Sequence, residues 1–357
     1  MKSAGYHVAV MGASSLLGKE VLGVLEERNF PVAELITVSG APDEPDLPIV
    51  DLSQRRWAAA DSQEEIPAGF DFAFVVSPHP HLDSWIERAG RERGSSRHLR
   101  AVIDLSSSVL QGTIPSPRVP FLDVLDGPSA ADQGPDSGKG LSIVTAPHTA
   151  TLMISALLAR VAKRFPVRNA VAQIFSPASE MGPRAIDELQ KQTVNLLSFQ
   201  KVPRTAFGAQ IAFNLLPRLG TGYEKADALE SRLRNQLTAC LGNRSPAPAL
   251  RVLQVPVFYC TALSLYVETE ERVPPSDLVV ALDGAPIAIR RTSEKPPSQA
   301  EVAGSNDILV DAIQPDAAHP EGIWFWAVAD NLRLAAVNAV QIAEGLHRRR
   351  QPLHLLK

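Results

Sequence analysis

The sequence predicts an α/β protein, a doubly wound parallel sheet followed by an α+β domain, and three observations carry that expectation. The N-terminal half alternates short apolar runs with amphipathic helical stretches, the order that builds a parallel sheet covered on both faces. Its first run, Tyr6-His7-Val8-Ala9-Val10-Met11, leads into a glycine-flanked turn and then a helix. Beyond Pro147 the pattern changes to longer strand-like stretches around a polar helix. The 357 residues also exceed the roughly 250–300 at which single cores stop growing.

Each element has its own signal. Residues 6–11 read as a buried strand, and the helix after Gly18 places Leu17, Val21, Val24 and Leu25 on one face. Leu35-Ile36-Thr37-Val38, Phe72-Ala73-Phe74-Val75-Val76 and Ala101-Val102-Ile103-Asp104 are the next apolar strands. Pro115 to Gly140 is rich in proline, glycine, serine and aspartate and is assigned no structure. Leu141, Ile143 and Val144 lead into Pro147-His148-Thr149-Ala150 and a helix starting near Thr151. Ala170 to Phe175, Leu250 to Phe258 and Ala262 to Thr269 read as strands, and Arg184 to about Phe199 as a polar helix. Asp330 to Arg348 is one amphipathic helix. The implied division is a dinucleotide-binding domain from 1–146 with 330–357, and an α+β domain from 147–329 whose open sheet suits dimerisation.

Composition removes several function classes. A net charge of −4 gives no global attraction to nucleic acid or anionic lipid. Arg348-Arg349-Arg350 reads as a solvated helix end. With two cysteines, Cys240 and Cys260, neither a disulfide framework nor a four-cysteine zinc site is possible, and no metal site is expected. The opening strand is not a signal peptide, and no run of about 18 apolar residues suggests a membrane span. The expected compartment is the cytoplasm.

Strand, glycine-flanked turn and helix together form the Rossmann-type arrangement that offers backbone N–H groups and a positive helix end to a phosphate. The candidate contacts are Gly12, Ala13, Ser14, Ser15, Leu16 and Leu17. Gly12 permits the tight turn and Gly18 lets the helix sit close to the sheet. Ser15 replaces the middle glycine and crowds the approach of a pyrophosphate, although its hydroxyl can donate. After the second strand comes Ala41-Pro42-Asp43-Glu44, acidic where a 2′-phosphate would need a cation, so NAD suits the site better than NADP. A turn kept for structure alone, binding no nucleotide, is the alternative.

Several blocks resemble the aspartate-semialdehyde dehydrogenase family, in family order from residue 8 to residue 344. The turn resembles its Gly-Ala-Thr-Gly-x-x-Gly, and Val102-Ile103-Asp104-Leu105-Ser106-Ser107 its Val-Ile-Asp-Asn-Ser-Ser. Val255-Pro256-Val257-Phe258-Tyr259 resembles the stretch before the family's catalytic histidine, and Val302-Ala303-Gly304 with Asp307-Ile308-Leu309-Val310 matches another block. The strongest likeness is Asp330-Asn331-Leu332-Arg333 followed by Asn338-Ala339-Val340-Gln341-Ile342-Ala343-Glu344, although a family glycine between them is missing. The resemblance implies a two-domain NADP-dependent enzyme of amino-acid biosynthesis that forms homodimers. A cysteine thiolate would attack the aldehyde, a histidine would act as acid and base, and arginines would hold the carboxylate and phosphate. It also adds Asn331 to the cofactor contacts.

The same resemblance exposes what is missing. The family's Pro-Asn-Cys-(Ser/Thr)-Thr is here Pro147-His148-Thr149-Ala150-Thr151, so Thr149 stands at the nucleophile position. Gly-His-Ser becomes Cys260-Thr261-Ala262, so Thr261 stands for the general base. The arginine after the Ser-Ser pair becomes Leu110, and the Ser-Gly-Ala-Gly loop becomes Ser176-Pro177-Ala178-Ser179. Gln173 is retained, and the resemblance puts it near the nucleophile. A threonine hydroxyl without an adjacent base is a weak nucleophile, and threonine cannot serve as a base at all.

The other candidates have plainer explanations. Cys260 could be a relocated nucleophile or a core residue. His79 and His81 could bind an anion or metal, or lie in a rigid proline-flanked loop. His148 could touch a ligand or mark a helix start. Two functions follow: a member without thiol-dependent activity that keeps its fold for nucleotide or partner binding, or an active NAD(P)-dependent oxidoreductase on a semialdehyde or related small substrate.

Overall fold

The computed structural model describes residues 5–38, 57–60, 70–77, 82, 84–86, 101–106, 117–126, 142–217, 226–290 and 297–350. In chain order the elements are β1 (Tyr6–Met11), α1 (Leu16–Glu27), β2 (Val32–Val38), β3 (Trp57–Ala60), β4 (Phe72–Val75), β5 (Ala101–Asp104), α2 (Pro120–Asp126) and β6 (Ser142–Thr145). They continue with α3 (Thr149–Ala162), β7 (Val167–Ser176), a 3₁₀ turn (Ala178–Met181), α4 (Pro183–Leu197), α5 (Ala226–Leu241), β8 (Ala249–Gln254) and β9 (Thr261–Thr269). Last come α6 (Pro275–Leu282), β10 (Ile287–Ile289), α7 (Gln299–Val302), β11 (Ile308–Pro315), β12 (Gly322–Ala329) and α8 (Asn331–Arg350). Two compact units result: Met1–Pro147 with Ala335–Lys357, and His148–Leu334.

The first unit is a parallel sheet in the order β3-β2-β1-β4-β5-β6. Alternate residues of its strands feed two separate cores. Val8, Val10, Phe72 and Phe74 pack with Val21, Val24 and Leu25 of α1 and with Ala336, Val340 and Ala343 of α8. Ala9, Met11, Ala73 and Val75 pack on the other side with Leu82, Trp85 and Ile86. Burial on both faces is why these strands read as unbroken apolar runs.

The second unit is a mixed sheet in the order β10-β11-β12-β9-β7-β8. Helix α3 packs on β7 and β9, α5 on α3 and β8, and α6 on α3 and β11. Beneath them lie Ala170, Ala172 and Ile174 of β7 and Leu263, Leu265 and Val267 of β9, all buried. The alternate residues form a partly exposed aromatic face, with Phe175 on Trp326 at 5.7 Å and Tyr266 on Trp324 at 5.1 Å between ring centroids. Helix α4 is organised differently. Its buried Glu188 accepts from the N–H groups of Thr205, Ala206 and Phe207, and its buried Gln192 accepts from those of Ile211 and Ala212. Two polar side chains thus fix the loop that follows the helix.

Among the described residues no helix is long and apolar enough to cross a membrane, and no cluster of His, Cys, Asp or Glu could hold a metal ion. Several boundaries differ from expectation, and two of them have a side-chain cause. Helix α3 starts at Thr149 because the His148 side chain caps it. Strand β8 stops at Gln254, ahead of Pro256, which has no N–H for a ladder.

Candidate functional site

In the second unit the ends of α3, β9, β12 and the 3₁₀ turn are joined by a dense hydrogen-bond network. The ring Nδ1 of His148 accepts from the Ala150 N–H at 3.1 Å, and its Nε2 lies 3.3 Å from the Glu180 carboxylate. An accepting Nδ1 assigns the proton to Nε2, where it faces the carboxylate. Both ring nitrogens are therefore engaged, and His148 has no lone pair left for a general base. Its backbone N–H and the Thr151 hydroxyl both donate to Gln236 Oε1, at 3.1 and 2.9 Å.

Asn331 holds the middle of this network. Its side-chain oxygen accepts from the Cys260 N–H at 3.0 Å and the Ser179 hydroxyl at 3.2 Å, while its backbone carbonyl accepts from the Thr149 hydroxyl at 2.6 Å. Glu180 is pulled two ways. Burial pushes its carboxyl up, but the electrostatic pull and hydrogen bond of His148, the Arg232 guanidinium and a hydrogen bond from Asn331 outweigh that, holding it below its ordinary value of 4.5.

Thr149 and Thr261 are thus brought to one end of the unit but are not joined as nucleophile and base. Thr149 is 4% exposed and donates its proton to a carbonyl. Thr261 is buried, and its hydroxyl has no partner among the described residues. Cys260 is fully buried at φ +72°, a left-handed conformation that favours glycine, the residue that the family resemblance implies at that position. Burial, with Asp330 adding to it, pushes its thiol up to about 12, so it behaves as a core residue and not as a nucleophile.

Gln173 is exposed on β7 between buried Ala172 and Ile174, on the strand face opposite the one that α3 covers. Asp43, Glu44, His79, His81 and Leu110 lie outside the described residues. Sequence reasoning named Ser179 only as a family loop position and missed Glu180 and Gln236. Glu180 had a usable signal, a charge just past the carboxyl end of an apolar strand. Gln236, in a charged helix, had none.

The first unit has its own candidate, the turn between β1 and α1. Strand β1 lies between β2 and β4, the point where strand order reverses and ligands of doubly wound sheets bind. The N–H groups of Gly12 and Ala13 both donate to Val38 O, and the Ser15 N–H to Gly12 O. The Ser15 hydroxyl donates to Gly12 O at 2.7 Å and accepts from the Gly18 N–H at 3.0 Å, capping α1.

A parallel sheet with such a turn, followed by a mixed sheet with one partly exposed aromatic face, is matched by known semialdehyde dehydrogenases. Residues 158–334 match the family model described as the semialdehyde dehydrogenase dimerisation domain. The aspartate-semialdehyde dehydrogenase of Aquifex aeolicus is 28% identical over 348 residues, covering 95% of this chain and 97% of the relative. A probable aspartate-semialdehyde dehydrogenase from Pseudomonas aeruginosa superposes with a TM-score of 0.79 at 25% identity, over 96% of this chain and 99% of the other. The enzyme from Candida albicans solved with NADP shares the fold, with a TM-score of 0.65 at 15% identity over 96% and 98% of the two chains. The chain belongs to the aspartate-semialdehyde dehydrogenase family, and its first unit has the nucleotide-cofactor fold of that family.

Proposed function

We propose that this chain is a family member without thiol-dependent semialdehyde dehydrogenase activity, a homodimeric cytoplasmic pseudoenzyme whose fold serves binding. The observation that carries this reading is the Thr149 hydroxyl, nearly buried and donating to the Asn331 carbonyl. A nucleophile at that place must lose its proton to a base. The imidazole nearest in sequence, on His148, has both nitrogens occupied. The homodimer is supported by the partly exposed aromatic face and by the match to a dimerisation domain.

The test is phosphate-dependent reduction of NAD and of NADP with aspartate semialdehyde, using the Aquifex aeolicus relative as a positive control. No turnover above background is expected, because loss of one member of a nucleophile–base pair already costs about 10³-fold or more. Turnover comparable to the relative, abolished by Thr149→Ala, would overturn the reading.

A further inference from the structure

We propose that the first unit has given up the diphosphate grip of its fold, the Ser15 hydroxyl occupying the place of a bound phosphate oxygen. The observation behind this is which glycines of the turn remain and what each one does.

Gly12 sits at φ +80°, and a Cβ there would lie 2.2 Å from the Ser77 hydroxyl oxygen. A Cβ on Gly18 would lie 2.1 Å from Gly12 O and 2.7 Å from the Ala13 Cα. Both glycines are demanded by the chain's own packing, with or without a ligand. Position 15 differs. Its φ of −66° and ψ of 163° suit any L-residue, so the backbone has no need of glycine there. A glycine at that point serves only the close approach of the pyrophosphate. The glycines that the fold needs are kept, and the one that only the ligand needs is replaced.

The replacement is not a neutral filler. The Ser15 hydroxyl accepts from the Gly18 N–H, as an anion oxygen at a helix start would, and gives its one proton to Gly12 O. It has no proton left to donate and turns oxygen lone pairs toward an incoming anion. The turn as built therefore does not fit a tightly held diphosphate.

This inference rests on the reading above only through the shared fold, and it is tested without any aldehyde substrate. Failure of the binding experiment would leave the activity result standing, and the reverse also holds. The experiment is calorimetric titration of the full chain with NAD and, separately, NADP, for the wild type, Ser15→Gly, Ser15→Ala and Ser15→Thr. The wild type and Ser15→Thr, which keeps the hydroxyl, should bind weakly. Ser15→Gly and Ser15→Ala should bind about tenfold tighter or more, the size of one recovered charge-assisted hydrogen bond. Melting temperature checks that each variant is folded, and two gain-of-binding variants guard against one that is not. Low-micromolar binding by the wild type would overturn the proposal, as would an absence of gain in both Ala and Gly variants. A gain confined to glycine would also overturn it, because the obstacle would then be the Cβ and not the hydroxyl.

Discussion

Two threonines at one end of the second unit sit in opposite hydrogen-bonding states, and matched substitutions separate them. Thr149→Val removes the donor to a buried carbonyl and should cost about 1–3 kcal/mol, whereas Thr261→Val removes an unpartnered hydroxyl and should be neutral or stabilising by about 1 kcal/mol. Urea unfolding of the two variants reads the difference, and equal losses would refute this account of the site. Cys260 gives a third outcome. Glycine relieves the left-handed strain at φ +72° that alanine keeps, so Cys260→Gly should be more stable than Cys260→Ala by about 1 kcal/mol. An alanine variant that is the more stable would show that the strain is small. Native protein should also resist alkylation at mildly alkaline pH, since burial holds the thiol at about 12. The substitutions at 149 and 261 were legible in the sequence, because a motif names the residue that stands in each slot. The hydrogen-bond state of each hydroxyl was not, because it depends on Asn331, 182 residues beyond Thr149.

At the scale of elements, the start of α3 and the 3₁₀ turn are joined through His148 and Glu180. Glu180 is held below its ordinary carboxyl value of 4.5. A depressed folded value means its contribution is present above the ordinary value and is lost as pH falls through the folded one. Glu180→Gln should therefore lower the melting temperature at neutral pH and narrow the gap to wild type in acid. Parallel curves would mean that the carboxylate is not coupled to folding. Helix α4 offers a second check: Glu188→Leu strands three backbone N–H groups and should cost about 3 kcal/mol or more, seen in denaturant unfolding. The apolar strands of the first sheet could be read from sequence because burial on both faces leaves an unmistakable pattern. Helix α2 could not, since seven residues in a proline-rich stretch give too few turns to show a period. Strands β11 and β12 were equally hidden: Trp324 and Trp326 stand on the partly exposed face, so the alternation of apolar and polar that marks a strand is absent.

For the whole molecule, the aromatic face of the second sheet predicts a solution mass near twice 38.5 kDa. The indole N–H groups of Trp324 and Trp326 are satisfied within the chain, by Asp316 and by Pro297 O, leaving their ring faces for contact. Trp324→Arg should shift light scattering toward the monomer without altering the helix-covered core, and an unchanged dimer would place the interface elsewhere. The second unit lies between the two stretches of the first, and α8 supplies Ala336, Val340 and Ala343 to the core built on β1 and β4. That arrangement sets a timetable for synthesis. As the chain leaves the ribosome, the strands of the first unit emerge earliest, yet the helix that closes one of their two cores is made among the last. The second unit, complete near residue 334, needs nothing that is made after it. A released chain truncated just beyond residue 334 should resist protease from His148 onward and remain cleavable before it.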